Sequence, residues 1–496
     1  MSSNDARTPR AVPVRRLVVV AATVVAVGAG VMAAASFGAG ADIPASTPAA
    51  TCGPGAKPET SIQGRVPRSD YDSGRVLQGY ECNTSQVARQ GKSGGFKVLR
   101  YTDAQGNTCA FYDSTLLVGR DILTNLGSGL GVITLDMKDP ANPRKTAALA
   151  TPGMLSPHES VLLNQERGLL VGVTGTALTL PGIMDVYDVK TDCRRPRLLS
   201  TTPFGVLGHE SGFSPDGKTF YSTSTAASFV AIDLTKPKLP KLIFTQLGVQ
   251  YHGLRLSDDG RTMYVANVGS PGLGGIAGGG LRILDVSAIQ DRKPGPKVAV
   301  LSSLTWPEVS IPQVAEPFSR NGHQYVLEVD EYIDIFSFKG FTNPTASPVG
   351  AARIINVDDP RHPRVVSNIR LAAHQLEARA GEQKNDPGNQ SPAQGYAGHY
   401  CSMPTRDSPK IAGCSMILSG LRLFDIRDVT KPKEVGYFNR PVKPGSKAVL
   451  IPPAQGAYAM SQPAWDVARR SVWYSDANSG LYVVKLTNGI DKLLAP

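Results

Sequence analysis

The stretch LRLFDIRDVTKPKEV, residues 421–435, contains the pattern that decides the fold. An alternating apolar run ends in Asp or Asn and a hydrophobe, a turn rich in Pro and basic residues follows, and a second short apolar run begins. The other copies are VITLDMKDPANP from Val132, MDVYDVKTDCRRP from Met184, VAIDLTKPKLP from Val230, RILDVSAIQDRKPGP from Arg282, RIINVDDPRHP from Arg353 and a truncated LYVVKL from Leu481. Such repetition indicates a fold built from similar units.

The repeat has the length of a propeller blade. Its apolar runs end about 45 to 75 residues apart, which brackets a four-stranded blade with some long loops. A period-two strand precedes each copy, as in TFYSTST from Thr219 and TMYVANV from Thr262, and Asp-Gly turns occur in SPDG at Ser214 and SDDG at Ser257. We therefore predict an all-β protein, a seven-bladed β-propeller of four-stranded antiparallel blades.

The last blade lacks its closing strand at the C-terminal end. An open sheet edge at this seam would invite aggregation. We expect an N-terminal segment within residues 61–83 to supply the strand and close the ring.

The repeated pattern resembles the LVIVD repeat of secreted bacterial seven-bladed β-propellers. LRILDVS from Leu281 and LRLFDIRDVTKP from Leu421 are the copies most similar to it, and the resemblance covers about residues 64–487. It implies the fold strongly and a function weakly, since propellers serve as enzymes and as docking platforms.

The N-terminus predicts export. Four Arg and one Asp in residues 1–16 precede an uncharged stretch, and Ala39-Gly40-Ala41 resembles a cleavage site. Residues 1–41 are therefore predicted as a signal peptide or, because the stretch is long enough to span a bilayer, an uncleaved signal anchor. We predict a flexible linker over 42–60, the propeller over 61–487 and a C-terminal tail over 488–496.

The charge distribution argues against nucleic acid as a partner. The net charge of +11 falls to +8 without residues 1–16, and the remaining basic residues are spread over the turns between strands. Basic residues interleaved with aromatic ones, as in stacking platforms, do not occur. A solvated surface or attraction to an anionic envelope component are the two interpretations.

All six cysteines lie beyond the predicted signal, and an even number in an exported chain predicts disulfides. Fifteen connectivities are possible. We favour Cys401–Cys414, which bracket a Pro-containing loop, and then Cys82–Cys109. The absence of a CxxC arrangement argues against redox catalysis.

Four of the seven histidines share one place in the repeat, at the predicted start of a blade's first strand. These are His158, His209, His252 and His374, with Glu316 at the same register in blade five and Gln462 in blade seven. First strands surround the axis of a propeller, so the side chains could form a ring at the channel mouth. Imidazole and carboxylate ligands suit Fe, Cu, Zn or Mn.

Two further residue sets bear on this ring. Strand alternation is expected to turn Glu159 and Glu210 away from the channel. The segment 380–413 is expected to interrupt blade six between its first two strands, and its His399 could complete or cover the ring. Structural capping or solvation of a wet channel is the alternative interpretation.

Two functions stay open. The first is a binding or interaction module outside the cell or in the cell envelope, with a protein or envelope component as partner. The second is a metal-dependent hydrolase, lyase or oxidase that uses the ring on a small-molecule ligand at the channel mouth. Membrane contact is expected only if the N-terminal signal is uncleaved, and whether the protein is an enzyme is left open.

Overall fold

The computed structural model describes residues 43–114, 130–174, 182–206, 208–224, 228–269, 279–332, 347–390, 394–445 and 455–495. These residues form seven antiparallel sheets, six with four strands and one with five. The predicted seven-bladed β-propeller is confirmed.

The strands follow the order of the blades. Blade one contains β3 (Val98–Thr102), β4 (Thr108–Asp113), β5 (Val132–Asp136) and β6 (Arg144–Leu149). Blade two contains β7 (Val161–Asn164), β8 (Leu169–Val173), β9 (Met184–Asp188) and β10 (Arg197–Thr202). Blade three contains β11 (Glu210–Phe213), β12 (Thr219–Ser224), β13 (Ser228–Asp233) and β14 (Lys241–Leu247). Blade four contains β15 (Tyr251–Leu256), β16 (Thr262–Asn267), β17 (Gly280–Asp285) and β18 (Ala299–Leu304).

The remaining blades include the N-terminal strands. Blade five contains β19 (Ile311–Arg320), β20 (His323–Glu331), β21 (Ala352–Asn356) and β22 (Arg364–Ile369). Blade six contains β23 (Tyr400–Ser402), β24 (Ile411–Ser415), β25 (Leu421–Asp425), β26 (Lys433–Asn439) and β1 (Tyr80–Cys82). Blade seven contains β27 (Ala464–Asp466), β28 (Ser471–Asp476), β29 (Gly480–Leu486) and β2 (Thr84–Gln90).

Helices are short and lie between strands. The α-helices are α1 (Arg68–Asp72), α2 (Pro152–Leu155), α3 (Ser287–Gln290) and α4 (Leu376–Ala380). The 3-10 helices are Arg75–Gln78, Ala372–His374, Glu382–Asn385, Pro387–Gln390, Val467–Arg469 and Ile490–Leu494. Within the described ranges, no helix has the length and apolar character needed to cross a membrane.

Burial decreases from the inner strands of a blade to its outer edge. Every residue of β4 and of β12 is buried, because neighbouring blades cover both faces of these strands. The outer strands β6 and β14 instead expose most of their residues. The apolar core therefore lies between blades.

The two predicted Asp-Gly turns connect first and second strands. Gly217 lies between β11 and β12 with a φ of 64°, and Gly260 lies between β15 and β16 with a φ of 72°. These left-handed conformations strain side chains with a Cβ atom, which explains glycine at the end of SPDG and SDDG.

An N-terminal strand closes the ring, as predicted, but it lies outside residues 61–83. The closing strand is β2, which pairs antiparallel with β29. β1 adds a fifth strand to blade six by pairing with β26. Asn83, with a φ of 54°, separates the two strands, so the chain passes from one blade to the next within one residue.

Residues 43–60, for which the sequence predicts a flexible linker, make defined contacts with the propeller. The backbone N–H of Thr47 donates to the carbonyl of Arg370, and Lys57 forms a β-bridge with Glu81. A disulfide joins Cys52 to Cys82 of β1 and fixes this segment. The signal segment 1–41 lies outside the described residues, so its role stays a prediction.

The long insertion precedes blade six rather than interrupting it. β22 ends at Ile369 and β23 begins at Tyr400, so the intervening residues connect blade five to blade six. They include α4 and three of the 3-10 helices, Ala372–His374, Glu382–Asn385 and Pro387–Gln390. The sequence placed the first strand of blade six at His374, but His399 immediately precedes that strand.

Three disulfides use all six cysteines, and one of the two favoured pairs is correct. Cys401–Cys414 joins β23 to β24, as expected. The predicted Cys82–Cys109 pair is wrong, because Cys82 lies in blade six and Cys109 in blade one, with blade seven between them in the ring. The observed pairs are Cys52–Cys82 and Cys109–Cys193, the latter joining blades one and two.

The Cys109–Cys193 bridge is expected to stabilise the protein more than Cys401–Cys414. The bridges have sequence separations of 84 and 13 residues. Chain entropy then gives about 4.5 and about 3 kcal/mol, respectively. The double variant Cys109→Ala/Cys193→Ala should therefore unfold at a lower denaturant concentration than Cys401→Ala/Cys414→Ala. The reverse order would contradict this interpretation.

Candidate functional site

Six ionisable side chains meet at the starts of the innermost strands, and we call them the channel cluster. They are His158, Glu159, His209, His252, Glu331 and His399. Three of the histidines directly precede or begin first strands, and His158 precedes β7 by a few residues. Glu331 ends β20, the second strand of blade five. Each of blades two to six thus contributes at least one side chain to this single site.

Glu159 is the centre of the channel cluster. Its Oε2 lies 2.9 Å from Nε2 of His252 and 3.4 Å from Nε2 of His209. Its Oε1 lies 3.4 Å from Nε2 of His399 and accepts a 2.7 Å hydrogen bond from Nε2 of Gln313. The carboxylate is therefore shared among side chains of four other blades.

The expectation that Glu159 turns away from the channel is wrong, and the backbone explains why. His158 has a φ of 55°, and β7 begins only at Val161. Residues 158 and 159 thus precede the regular strand, where alternation does not apply. A positive φ at a non-glycine residue is uncommon and concentrates at functional sites.

Backbone carbonyls orient two of the imidazoles. Nδ1 of His252 lies 2.9 Å from the oxygen of Pro312, and Nδ1 of His399 lies 2.5 Å from the oxygen of Met460. A carbonyl only accepts, so Nδ1 carries the proton in both rings. Each Nε2 therefore faces the carboxylates, and Nε2 of His399 lies 3.0 Å from Oε2 of Glu331.

This arrangement requires a positive charge between imidazole and carboxylate. A neutral ring with its proton on Nδ1 would direct the Nε2 lone pair at a carboxylate oxygen, which is repulsive. Either a second proton or a metal ion removes the repulsion. Histidines that bind metals commonly donate the other ring N–H to a backbone carbonyl, as His252 and His399 do here.

The four histidines of the channel cluster form two pairs, one with raised and one with lowered pKa values. Burial opposes charge on His252 and His399, but Glu159 and Glu331 outweigh it and raise the pKa of both to about 9. Burial, with the neighbouring His209, lowers the pKa of His158 to about 3, and burial also lowers the pKa of His209. Against the effect of its burial, the imidazole of His252 holds the pKa of Glu159 well below its usual value.

Three buried polar atoms of the channel cluster lack a properly directed hydrogen bond to any described residue. They are Nδ1 of His158, Nε2 of His399 and Oε2 of Glu331. Native proteins rarely leave such atoms unsatisfied, and a bound ion or an ordered water commonly satisfies them. Phe96 packs against the rings of His158 and His399, with centroid distances of 4.2 and 5.0 Å, and forms an apolar wall.

The imidazoles are also close to one another. Ring centroids are 4.8 Å apart for His158 and His209 and 4.7 Å apart for His209 and His252. Two triads of possible ligands result, and Glu159 belongs to both. The triads are His158, Glu159 and His209, and Glu159, His252 and Glu331. The His209 side chain is 21% exposed, so the site is accessible from one side.

Glu316, predicted at the ring, belongs to a second layer of charges deeper in the channel. Its Oε1 accepts a 2.7 Å hydrogen bond from Nε of Arg255 and one of 2.6 Å from Gln462. His252 of the channel cluster and Arg255 of the second layer lie three residues apart in β15, so the second layer follows the channel cluster along this strand. The structure does not place Glu316 in the channel cluster.

Glu210 is the centre of this second layer, so it too points into the channel against expectation. Its carboxylate contacts Nζ of Lys97 at 3.0 Å and Nη1 of Arg255 at 3.2 Å. Tyr400 donates a 2.8 Å hydrogen bond to it. The layer lies between the channel cluster and a cavity of about 430 Å³ that Glu316 and Gln462 also line.

His374 lies outside the channel cluster. It ends the 3-10 helix Ala372–His374, where its Nδ1 accepts from the N–H of Leu371 at 3.3 Å. Its Nε2 donates to the oxygen of Tyr396 at 2.8 Å. Both ring nitrogens are therefore used within the insertion, and none is left to bind a metal.

The sequence did not identify Glu331 as a site residue. The sequence contains a weak indication of this residue. The run LEVDE in β20 places three acidic residues in a strand whose apolar residues predict burial. Buried carboxylates require partners, and such a run marks a site for them.

The chain matches no family model and no curated protein. A functionally unknown protein from Desulfotomaculum acetoxidans is 14% identical, with a TM-score of 0.44 over 69% of this chain and 86% of that chain. Hydrazine synthase from Kuenenia stuttgartiensis is 13% identical, with a TM-score of 0.47 over 81% of this chain and 97% of that chain. Neither likeness bears on chemistry, so any assignment here rests on the geometry of the site.

His374 is expected to make stability depend on pH. Burial and the nearby Arg370 lower its pKa to about 3 from an ordinary value of 6.5. Between these values the unfolded chain binds a proton that the folded protein does not, so stability falls as the pH falls. The free energy of unfolding at pH 4.5 should therefore be about 2 to 3 kcal/mol lower than at pH 7 because of His374 alone.

The measurement is the free energy of unfolding at both pH values for wild type and His374→Gln. The variant should lose less stability on acidification than wild type. His362→Gln is the control, because that side chain is 81% exposed, and it should behave as wild type does. Equal acid sensitivity of wild type and His374→Gln would refute this assignment.

Proposed function

We propose that this protein is an exported β-propeller that binds a divalent transition-metal ion in the channel cluster. One observation carries the proposal. Backbone carbonyls hold the Nδ1 protons of His252 and His399, which aims both Nε2 atoms at the carboxylates of Glu159 and Glu331. A cation between nitrogen and oxygen ligands satisfies this arrangement.

The donor set narrows the choice of ion. Four imidazoles and two carboxylates are ligands for Fe, Cu, Zn or Mn, whereas Ca²⁺ and Mg²⁺ favour sites made of oxygen atoms alone. Three atoms that lack a properly directed hydrogen bond to any described residue would become ligands, namely Nδ1 of His158, Nε2 of His399 and Oε2 of Glu331. Gln313, which donates to Glu159, would orient that carboxylate as an outer-shell partner.

The partial exposure of the channel cluster to solvent supports a catalytic role for the bound ion. His209 is 21% exposed, whereas His252 and Glu159 are each 1% exposed. An ion held on the buried side would thus keep a position open toward the channel mouth, as in catalytic rather than structural metal sites. We therefore place the metal-dependent enzyme ahead of the interaction module, with a small molecule as substrate.

The remaining parts of the proposal rest on the sequence. Three disulfides are typical of oxidising compartments outside the cytoplasm and agree with the charged, then apolar, N-terminus. The LVIVD resemblance and secretion stay predictions, as does the signal anchor. No observation on the described residues selects a protein or envelope partner, so the interaction role also stays a prediction.

Elemental analysis of untagged protein from an exporting host tests the proposal. We expect about one transition-metal ion per chain in the wild type. Glu159→Gln removes the shared charge while keeping the side-chain shape, and His252→Ala removes one ligand. Both variants should retain at least tenfold less metal, in line with the cost of losing ligands or their partners. His362→Ala, at an exposed histidine, should retain the wild-type content.

Folding and stoichiometry complete this test. Chelation should lower the melting temperature of wild type and leave that of Glu159→Gln unchanged, because only the metal-bound state gains stability. Two ions per chain would mean that both triads around Glu159 are occupied. A folded wild type that takes up none of Fe, Cu, Zn or Mn on dialysis would overturn the proposal.

A further inference from the structure

A cavity of about 630 Å³ lies between blades two and three, and no residue of the channel cluster lines it. Blade two contributes the turn between β9 and β10 and residues beside it, and blade three contributes residues 235–239 between β13 and β14. In an antiparallel blade these turns lie at the opposite end from the start of the first strand, so the cavity opens on the face opposite the channel cluster. Its volume is typical of cavities that bind small molecules.

Basic residues dominate the lining of this cavity. Five basic residues and one acidic residue line it, which leaves a formal charge of +4. Four of the five basic residues are exposed, and Arg167 is half-buried. The basic residues are Arg167, Lys190, Arg197, Lys236 and Lys238, and the acidic residue is Asp188.

Carboxylates balance little of this positive charge. Asp188 pairs with Arg197, with 2.9 Å between Oδ2 and Nη2. The other four basic residues form no ion pair within the described part of the chain. Arg167 and Lys190 donate to backbone carbonyls, which carry no net charge. The cavity therefore has an excess of positive charge that a ligand can balance.

A second copy of the blade-three turn shows what is particular to this cavity. The sequence TKPK of blade three occurs again at residues 430–433 of blade six. Glu434 follows it directly in blade six, whereas Leu239 follows it in blade three. The acid that precedes it in blade three, Asp233, pairs with Arg292 of blade four at 3.2 Å. The lysines of blade three therefore lie beside an apolar residue rather than an acidic one.

Apolar residues line the same cavity. They are Leu169, Leu199, Pro237 and Leu239. Leu169 is 4% exposed, whereas Leu239 is 68% exposed. Covering exposed leucine surface with an apolar group is favourable, because it removes that surface from water. The cavity thus combines an apolar wall with positive charge.

We infer that this cavity binds a small amphiphilic anion, a carboxylate or phosphate group attached to a hydrocarbon chain. Charged hydrogen bonds from the lysines would hold the head group, and the leucines would contact the chain. The site shares no residue with the channel cluster, so the inference goes beyond the proposed function and does not depend on a metal. Free amphiphiles and bilayer lipids share this chemistry, and they are distinguished below.

Calorimetric titration of the exported protein with monomeric sodium decanoate tests the site. We expect saturable binding of about one decanoate per chain. Acetate has the head group alone, and octyl glucoside has a chain without charge. Each should therefore bind about tenfold more weakly or worse. Acetate or octyl glucoside that binds as tightly as decanoate would overturn the inference, because charge or apolar contact alone would then account for binding.

A matched pair of double variants tests the role of the lysines. Lys236→Gln/Lys238→Gln removes two charges from the cavity and should weaken decanoate binding about tenfold or more. Lys431→Gln/Lys433→Gln makes the same change in the TKPK sequence of blade six and should bind as wild type does. All four lysines are exposed, so both variants should fold, which circular dichroism checks.

A second pair tests the apolar wall. Leu239→Ser should weaken decanoate binding and leave acetate binding unchanged. Leu77→Ser is the control, because Leu77 is 56% exposed but lies in the 3-10 helix Arg75–Gln78, which does not line the cavity. This control should bind decanoate as wild type does.

Sedimentation with phospholipid vesicles distinguishes the two sources of the ligand. Binding to vesicles that contain phosphatidylglycerol, but not to phosphatidylcholine alone, would identify a bilayer lipid if Lys236→Gln/Lys238→Gln loses it. Decanoate binding without vesicle binding would identify a free amphiphile. Wild type that binds neither decanoate nor these vesicles would overturn the inference. Equal binding by the two lysine variants would do the same, because general attraction would then explain it.

Discussion

The pairing of β2 with β29 is the constraint on which the rest of the structure depends. It gives blade seven its fourth strand and joins the two ends of the chain. Without this pairing, β29 would have an unpaired edge and the ring would not be closed between blades seven and one. A closed ring is what brings the first strands of distant blades to one axis, so the contact of Glu159 with His399 exists only because the ring closes.

The channel is filled by charge rather than by apolar side chains. Burying ions is costly, and replacing a buried ion pair by hydrophobic residues is often neutral or stabilising. Two stacked layers of such groups, centred on Glu159 and Glu210, therefore do not add to stability in an obvious way. Function is the better explanation for the upper layer, where three atoms still lack a properly directed hydrogen bond to any described residue. The lower layer is largely satisfied and separates the channel cluster from the cavity beneath it.

Local patterns predicted the fold, and non-local geometry limited the prediction of the site. Period-two strands and Asp-Gly turns are read within a few residues, and they repeat, so the blade count followed from the sequence. His209 and His252 could be placed by register alone. His374 could not, because the insertion before blade six carries residues that imitate a strand start, and the true position is that of His399. The inward direction of Glu159 depends on one positive φ before β7, which no spacing rule contains.

The end of β20 connects the channel cluster to a buried ion pair on the other face of the strand. Asp330 and Glu331 are consecutive residues of one strand, so their side chains point to opposite faces. Asp330 accepts from the buried side chain of Arg353 and from the indole N–H of Trp306. Glu331 faces His399 in the channel cluster. The end of β20 therefore forms ion pairs on both of its faces, Asp330 with Arg353 and Glu331 with His399. Because the two acidic residues are adjacent, the position of the Glu331 carboxylate depends on the ion pair between Asp330 and Arg353. Arg353 is thereby part of what positions the Glu331 carboxylate in the channel cluster.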